Sequence, residues 1–312
     1  MQSPTPFARI GTRGSPLALA QARLVRSLLS AAHAVPEDHI AIDVFSTGGD
    51  RSQAENTTLS DIGGKGVFTK EIDEALLSGR IDIGVHSSKD VATALPEGMV
   101  LTAFLEREDV RDAFLSISAK AIDNLPDGAK FGTSSIRRAA QAKRLRPDLR
   151  IVPFRGNVHT RVQKLLDGIA DATLLALAGL NRLGEAHRAT AILNPVDFMP
   201  APAQGAIAIA LRRGDDRFAS VVAPLDHAAT HAEISAERTM LAVLDGSCRT
   251  PVGALSSRDG EMLSLRGEII SLDGQTTFRA EASGQNPIIL GETVGKDLLA
   301  QAGPDWQTRF LS

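Results

Sequence analysis

The chain repeatedly passes from an apolar, strand-like stretch into a short segment of Gly, Ser, Thr and Arg that opens a helix. The clearest junctions are residues 10–15, 132–138 and 154–157. Such a junction directs unpaired backbone N–H groups, at the positive end of a helix dipole, toward one point. Guanidinium groups placed there add bidentate recognition of carboxylate or phosphate. Several such junctions facing one cleft predict a site for a multiply anionic molecule.

Length and composition limit the class of protein. A chain of 312 residues exceeds one ordinary domain and suggests two or three. Aromatic residues make up only 4% and the net charge is −3, which argues against base stacking and general nucleic-acid binding. No apolar run approaches the ~18 residues of a membrane span, and the first residues lack the apolar core of a signal peptide. We therefore expect a cytoplasmic α/β protein that binds neither nucleic acid nor membrane.

Strand-like and helical patterns alternate along the first two-thirds of the chain. The strand-like runs are 40–45, 81–85, 99–104, 149–154 and 172–177, and the helical patterns include 68–77, 158–166 and a helix starting at Ser15-Pro16. This alternation predicts crossover units and mainly parallel sheets. Residues 11–15 resemble 132–135, and 69–82 resemble 160–171. We therefore expect two similarly built α/β lobes, which generally hold a ligand between them.

These patterns also suggest domain boundaries. We expect lobe 1 at 1–105 with 206–225, lobe 2 at 106–205 and a small α+β domain at 226–312. The polar, Gly-rich segment 46–66 is expected to be a mobile loop of lobe 1. Residues 198–205 read as a hinge, after which 206–211 rejoin lobe 1. In the small domain the expected elements are helix 232–244, strands 262–268 and 276–282, and helix 290–302.

Cys248 is the single cysteine, which excludes internal disulfides and any metal site of several thiolates. A lone cysteine is often only a small buried thiol. Arg249 and local N–H groups would favour a thiolate, but no neighbouring His supplies the base of a hydrolytic pair. Both an idle thiol and a thiol carrying a permanently attached group stay open, and the second fits this segment better.

The segment 86–90, HSSKD, follows a predicted strand at the edge where α/β proteins bind ligands. Asp90 could cap a helix or form a surface salt bridge. It could also be the one acid of a basic cleft, able to protonate a leaving amine or stabilise a cation. The basic candidates are Arg13, Lys65, Lys89, Arg137, Arg138, Arg155, Arg161 and Arg182. Any one of them alone is more often a solvated charge, but an unpaired cluster implies an anionic guest.

Nine segments in order across nearly the whole chain resemble the porphobilinogen deaminase (hydroxymethylbilane synthase) family. They are GTRGSPLALAQA, IGGKGVFTKEID, VHSSKDV, EREDVRDAF, FGTSSIRRAAQ, FRGNVHTRV, LALAGLNRLG, PAPAQGAIAI and DGSCRTPVGA. The resemblance implies an α/β fold of two periplasmic-binding-protein-like lobes with mainly parallel central sheets, plus a small α+β C-terminal domain. It also implies a transferase whose dipyrromethane cofactor is bound to Cys248 by a thioether. No metal site is expected, and no feature of the sequence demands more than a monomer. Four porphobilinogen molecules would be condensed head-to-tail onto this primer with loss of ammonia, and hydroxymethylbilane would be released by hydrolysis.

The resemblance also implies roles for single residues. Each pyrrole carries an acetate and a propionate, and loss of ammonia leaves a cationic methylene-pyrrole. Asp90 would be the catalytic carboxylate that contacts pyrrole N–H groups, assists amine departure and removes a proton after coupling. The cofactor would be bound by Ser15, Ser87, Lys89, Thr133, Ser134, Ser135, Arg137 and Arg138. The substrate would be bound by Arg13, Lys65, Phe68, Arg155, Gly156, Asn157, Arg161, Arg182 and Gln204.

The chain departs from the family pattern at four positions: Gly14, Asp61, His159 and Ser247. None removes a group that the chemistry requires, although Asp61 weakens the case for a ligand contact from that loop. A two-lobed protein that binds a small anion without catalysis is the alternative, and it would treat Asp90 and Cys248 as incidental. A phosphoribosyltransferase would need a phosphate loop and Mg²⁺ carboxylates, which the sequence does not display.

Overall fold

The structure of the chain, a computed structural model, describes residues 6–48, 69–247 and 250–311. The chain divides into two compact units, Met1–Arg107 with Ala206–His231 and Glu108–Gly205 with Ala232–Ser312. The described residues form three sheets. No helix within these ranges is long and apolar enough to cross a membrane.

The first sheet lies in the first unit and has the strand order β2-β1-β3-β10-β4. Its strands are β1 (Ala8–Arg13), β2 (Ile40–Phe45), β3 (Ile83–Ser87), β4 (Met99–Phe104) and β10 (Ile207–Arg212). β1 pairs in parallel with β2 and β3, whereas β10 pairs antiparallel with β3 and β4. The position of β10 confirms that the chain returns to the first sheet after residue 205.

Helices pack against this sheet, and helix and strand residues together form the hydrophobic core of the first unit. They are α1 (Pro16–His33), α2 (Lys70–Leu77) and α6 (Asp216–Val222). α1 starts at the predicted position, because Ser15 is its N-cap and Pro16 its first residue. Its buried residues Ala22, Val25 and Leu29 pack with strand residues such as Ile10 and Ile207. Each large side chain buried in this way contributes about 1.5–3 kcal/mol.

The second sheet lies in the second unit and has the order β7-β6-β8-β5-β9. Its strands are β5 (Asp112–Ser116), β6 (Lys130–Gly132), β7 (Arg150–Val152), β8 (Ala172–Ala176) and β9 (Ala191–Ile192), with helices α3 (Ile136–Leu145), α4 (Val158–Leu166) and α5 (Leu177–Arg182). β6 is parallel to β7 and β8, and β5 is antiparallel to β8 and β9. In both sheets four strands therefore run in one direction, and one strand, β10 or β5, runs antiparallel to them at the fourth position of the strand order. This repeat confirms two similarly built α/β halves.

The C-terminal segment folds as an antiparallel meander, β11-β12-β13, with helices. The elements are α7 (Ala228–Val243), β11 (Val252–Asp259), β12 (Met262–Ile270), β13 (Thr277–Gly284), α8 (Pro287–Ala302) and α9 (Trp306–Leu311). Leu265, Val294 and Trp306 belong to its buried core. β11 and α9 were not expected from the sequence. The α+β character agrees with the expectation, and the three-domain boundaries stay a prediction.

Candidate functional site

A pocket in the first unit lies where β1 and β3 end and α1 begins. It is lined by Arg13, Ser15, Leu17, Ala18, Gln21, Thr69, Val85, His86, Ser87 and Asp90. Arg13 and Ser87 are the last residues of two neighbouring parallel strands, and the carboxyl ends of such strands form the usual ligand edge of an α/β sheet. The structure therefore brings together Arg13, Ser15, Ser87 and Asp90, four residues that the sequence predicts for one site.

The start of α1 supplies this pocket with a positive helix end. Ser15 Oγ accepts a hydrogen bond from the Ala18 amide at 3.2 Å. α1 has 18 residues, and its first turn contains no acidic side chain. The partial positive charge of the helix N-terminus is therefore not neutralised locally and favours an anion.

Ser87 and Asp90 approach the pocket from the end of β3. Ser87 Oγ accepts a hydrogen bond from Gln21 Nε2 at 2.9 Å and donates one to Gln21 Oε1 at 3.1 Å. Asp90 ends the short 3-10 turn Ser88–Asp90 and is half-buried. It is the one carboxylate among the described lining residues. Lys89, predicted for the cofactor, is half-buried on the same turn.

A second group of predicted residues surrounds the start of α3 in the second unit. Thr133 Oγ1 accepts from the Ser135 amide at 3.1 Å, and Ser135 caps α3 by accepting from the Arg138 amide at 3.4 Å. Ser134 Oγ accepts from the Phe154 amide at 3.1 Å. These three hydroxyls therefore hold the junction in shape, and each also has a proton to donate.

Arg137 and Arg138 are paired with a buried carboxylate, so the interpretation of an unpaired cluster is wrong for these two residues. Asp112 Oδ2 accepts from Arg137 Nη2 at 2.8 Å, and Asp112 Oδ1 accepts from Arg138 Nη2 at 2.7 Å. Burial would raise the pKa of Asp112, but the two arginines hold it well below its usual range. Asp112 lies 25 residues before Arg137, so its partnership depends on the tertiary fold.

Arg137 and Arg138 share the single carboxylate of Asp112, so this group of three side chains carries a net positive charge. Burial lowers the pKa of Arg137 despite Asp112, and its Nε is a buried donor without a hydrogen-bond partner in the described part of the chain. An unsatisfied buried donor costs about 1–3 kcal/mol. An acceptor group bound at this junction would remove that cost.

The start of α4 carries the other predicted cations. Asn157 caps α4 by accepting from the Thr160 amide at 2.9 Å, and Arg161 Nε donates to the Gly156 carbonyl at 2.9 Å. Burial, together with repulsion from Arg138 and Arg155, lowers the pKa of Arg161 to about 10. Arg138 and Arg155 therefore lie close enough to Arg161 to disfavour its charge, which fits a site for a carboxylate-bearing ligand.

Two further predicted residues donate hydrogen bonds to backbone carbonyls. Arg182 Nη2 donates to the Gly205 carbonyl at 2.7 Å. Gln204 is fully buried, and its Nε2 donates to the Val110 carbonyl at 2.7 Å and to Asp112 Oδ1 at 2.9 Å. Its predicted role in substrate binding stays a prediction that this burial does not favour. The geometry instead makes Gln204 a support for Asp112.

Three predicted site residues lie outside the described residues: Lys65, Phe68 and Cys248. So do Asp61 and most of the expected loop 46–66. Next to Cys248, Thr250 Oγ1 donates to the Ser247 carbonyl at 2.6 Å and accepts from the Ser247 amide at 2.9 Å. In the described ranges, no cluster of three or more His, Cys, Asp or Glu side chains could hold a metal ion.

The sequence did not single out several residues that the structure brings to these places. His86, Thr69 and Gln21 line the pocket, and Asp112 pairs the two arginines. Arg238 on α7, outside the predicted set, is a half-buried cation, and burial lowers its pKa to about 10. His86 and Asp112 stand inside quoted motifs, but nothing in their spacing predicts a contact.

Comparison with known families decides what these residues belong to. Residues 8–220 match the family model described as porphobilinogen deaminase, dipyromethane cofactor binding domain. Residues 231–300 match the porphobilinogen deaminase C-terminal domain. The chain belongs to the porphobilinogen deaminase family.

Curated relatives agree with this assignment. The chain is 52% identical over 306 residues to a porphobilinogen deaminase of Nitrobacter hamburgensis, covering 97% of this chain and 96% of the relative. It is equally similar, 52% over 306 residues, to the porphobilinogen deaminase of Nitrobacter winogradskyi, with the same coverage of both chains. The protein is therefore an enzyme of tetrapyrrole biosynthesis that polymerises pyrroles, and a non-catalytic anion-binding protein is not favoured.

Solved structures give only a distant similarity. One is the periplasmic aliphatic sulphonate binding protein from Escherichia coli, with 18% identity, a TM-score of 0.42, and coverage of 77% of this chain and 70% of that one. Another is a periplasmic substrate-binding protein of an ABC transporter from Coxiella burnetii, with 15% identity, a TM-score of 0.44, and coverage of 74% and 97%. The family assignment rests on the sequence matches.

The porphobilinogen deaminase fold binds a dipyrromethane cofactor through the domain matched at residues 8–220. The described residues fit that group. A dipyrromethane with acetate and propionate chains is a polyanion, and the junction at α3 offers a buried Arg137 Nε without a partner and the crowded charge of Arg138 and Arg161.

Proposed function

We propose that this chain condenses four porphobilinogen molecules head-to-tail, with loss of ammonia, onto a dipyrromethane joined to Cys248 by a thioether, and releases hydroxymethylbilane by hydrolysis. The observation that carries this proposal is the pocket in which Asp90, the one carboxylate among the described lining residues, lies beside Arg13 and the N-terminus of α1. This pocket combines one carboxylic acid with hydrogen-bond donors that can bind the carboxylates of a ligand. When bound, the dipyrromethane supplies the nucleophilic pyrrole to which the substrate is added.

Asp90 is the catalytic carboxylate in this proposal. It accepts the pyrrole N–H of porphobilinogen, and its negative charge stabilises the cation that develops as ammonia leaves. After coupling it accepts the proton released from the pyrrole carbon. Its half-buried position supports this role, because the charge of a carboxylate acts more strongly where less water surrounds it.

The cations and hydroxyls bind the acetate and propionate chains. Ser15, Ser87, Lys89, Thr133, Ser134, Ser135, Arg137 and Arg138 are proposed for the cofactor. Arg13, Lys65, Phe68, Arg155, Gly156, Asn157, Arg161 and Arg182 are proposed for the substrate. The lowered pKa of Arg161 supports this assignment, because a carboxylate bound there would relieve the repulsion from Arg138 and Arg155.

The proposal also covers the setting of the enzyme. We infer a cytoplasmic monomer that acts on a small-molecule substrate without a nucleic-acid or membrane partner and without a metal. The modest net charge of −3 and the low aromatic content support the part of this inference that concerns nucleic acid.

Intact-protein mass spectrometry tests the proposal most directly. The purified active protein is expected to carry the added mass of two linked pyrroles, located on Cys248 by peptide mapping. Cys248→Ala is expected to carry no added mass and to lose turnover, whereas Ser247→Ala, a matched change next to it, keeps both. An active protein with an unmodified Cys248 would contradict the proposal.

A further inference from the structure

His86 lines the pocket beside Asp90, and the proposed function gives it no role. It lies on β3 directly before Ser87, and only 3% of its side chain is exposed. Gly84 stands two residues earlier on the same face of β3 and makes room for the ring. A Cβ atom at Gly84 would lie 2.9 Å from His86 Nε2 and 3.4 Å from the Cβ of Ala210. Packing therefore fixes the imidazole at the base of the pocket.

One ring nitrogen of His86 faces a buried carboxylate. Nε2 lies 4.0 Å from Asp73 Oδ1 on α2, and the other oxygen of Asp73 accepts a hydrogen bond from Thr69 Oγ1 at 2.7 Å. Neither Nε2 nor Oδ1 has a hydrogen-bond partner among the described residues. The two buried atoms therefore face each other across a gap of 4.0 Å, close enough for electrostatic attraction but too long for a hydrogen bond.

The charges of the pair follow from its surroundings. Burial, reinforced by the positive charge of Arg13, lowers the pKa of His86 to about 4, so the imidazole is neutral at pH 7. Burial raises the pKa of Asp73 to about 6, opposed by the Thr69 hydrogen bond and reinforced by Glu71 and Glu74. Asp73 is therefore mainly ionised at pH 7.

A neutral imidazole carries one N–H and one lone pair, and its neighbours decide which nitrogen holds the proton. The Asp73 carboxylate attracts an N–H at Nε2. This attraction places the proton on Nε2 and leaves Nδ1, the ring nitrogen that does not face Asp73, as an acceptor.

We propose that Asp73 is a positioning residue that holds His86 as the Nε2–H tautomer, and that His86 Nδ1 accepts a hydrogen bond from an N–H group of the bound substrate. The donor is the pyrrole N–H or the aminomethyl group of porphobilinogen. His86 thus supplies a second acceptor beside Asp90, uncharged and fixed by packing. This inference rests on the proposed function, because porphobilinogen provides the donor.

Kinetics of three variants tests the contact with the substrate. His86→Leu removes both nitrogens and is expected to lower kcat/KM about tenfold to a hundredfold, the effect of one lost hydrogen bond in a buried site. His86→Asn places an amide oxygen near the position of Nδ1 and is expected to stay within about fivefold of the wild type. The matched control is Ser88→Ala, which removes a buried hydroxyl without a described partner that does not line the pocket. Its kcat/KM is expected to be unchanged.

All variants are compared as holoenzymes whose dipyrromethane content has been checked by mass. Equal kcat/KM for His86→Leu and Ser88→Ala would overturn the contact. Equal losses in His86→Leu and His86→Asn would also overturn it, because the acceptor oxygen would then have made no difference.

Nitrogen-15 NMR of histidine-labelled protein tests the tautomer without any change in the pocket. The chain has seven histidines, and the signal missing from His86→Asn identifies His86. At pH 7 the wild type is expected to show a neutral ring protonated at Nε2, and Asp73→Asn a mixture of tautomers. A wild-type ring protonated at Nδ1, or at both nitrogens, would overturn the proposal.

These outcomes are separable from those of the proposed function. A missing adduct on Cys248, or normal turnover by Asp90→Asn, would refute the proposed function and leave the tautomer of His86 unaffected. A correct adduct with an Nδ1–H ring would refute only the role of Asp73 and His86.

Discussion

Asp90 and Asp112 are both carboxylates near arginines, and their surroundings assign them different tasks. Asp90 is half-buried at a pocket, whereas Asp112 is fully buried and engaged by Arg137, Arg138 and Gln204. A carboxylate with every oxygen occupied by protein donors stabilises the fold. A carboxylate that lines a pocket is available to a ligand.

Asp90→Asn keeps the size of the side chain and removes its charge. We expect kcat/KM to fall by at least about 30-fold, equivalent to ~2 kcal/mol or more of transition-state stabilisation. Steady-state kinetics with porphobilinogen measures this, and the exposed Glu97→Gln is the control with unchanged turnover. Near-normal turnover of Asp90→Asn would remove this carboxylate from the mechanism.

Asp112→Asn leaves two buried guanidinium groups without their carboxylate. We expect the free energy of unfolding to fall by about 3–5 kcal/mol, as for other buried pairs that lose one partner. Less dipyrromethane should also be retained, since Arg137 and Arg138 lose their orientation. The surface pair of Asp109 and Arg111 provides the control, because Asp109→Asn should change stability by about 1 kcal/mol or less. Urea denaturation and intact mass report the two effects, and equal stability of both variants would contradict this account.

At the scale of elements, strand-to-helix junctions recur and are built in related ways. α1, α3 and α4 each start with a side-chain cap, from Ser15, Ser135 and Asn157. Each cap lies near an arginine that the proposed function assigns to ligand binding. The junction before α4 additionally needs glycine, because Gly156 has φ of +123° and its missing Cβ would lie 2.7 Å from Thr160 Cγ2.

Gly156→Ala is expected to distort this junction. The backbone strain costs about 1–3 kcal/mol, and the turn that Arg161 holds through the Gly156 carbonyl would shift. We expect KM for porphobilinogen to rise several-fold. Gly168→Ala is the control, because Gly168 also has positive φ, +69°, but has nothing within 4 Å of an added Cβ. A KM for Gly156→Ala that equals that of Gly168→Ala would show that the turn does not orient the site.

At the scale of the whole molecule, Asp73 and His86 affect the pH dependence of stability in opposite directions. The pKa of Asp73 is raised from 3.8 to about 6, so its contribution to stability falls as pH rises through that range. The pKa of His86 is lowered from 6.5 to about 4, so its contribution falls as pH decreases through that range. Between pH 4 and 6 the two slopes largely cancel.

Replacing one residue at a time should reveal the pH dependence of stability that the other residue causes. Asp73→Asn leaves His86, so stability is expected to rise by about 3 kcal/mol from pH 4 to 6.5 relative to the wild type. His86→Leu leaves Asp73, so the free energy of unfolding is expected to fall by about 3 kcal/mol from pH 4 to 6 relative to the wild type. Urea midpoints measured across this range check both signs. Parallel profiles for the two variants and the wild type would show that neither group is shifted.

The family motifs and strong local sequence patterns predicted many of the helices and strands. Ser15-Pro16 placed the start of α1, and runs 40–45 and 99–104 coincide with β2 and β4. Local signals of this kind act through nearest neighbours along the chain, such as a cap and the amide three residues later. β11 and the two-residue β9 were not expected, because a short strand is stabilised mainly by the strand it pairs with.

What the sequence determined by itself is the set of chemical groups: one cysteine, strand-to-helix junctions with arginines, an HSSKD segment and the motifs of a family that polymerises pyrroles. What only the tertiary structure decided is which titratable groups face a buried partner. Asp112 meets Arg137 and Arg138, and Asp73 meets His86, across loops that no local pattern spans. The physical reason is that burial and electrostatic partnership depend on distances in space, whereas caps, periodicity and motifs depend on distances along the chain.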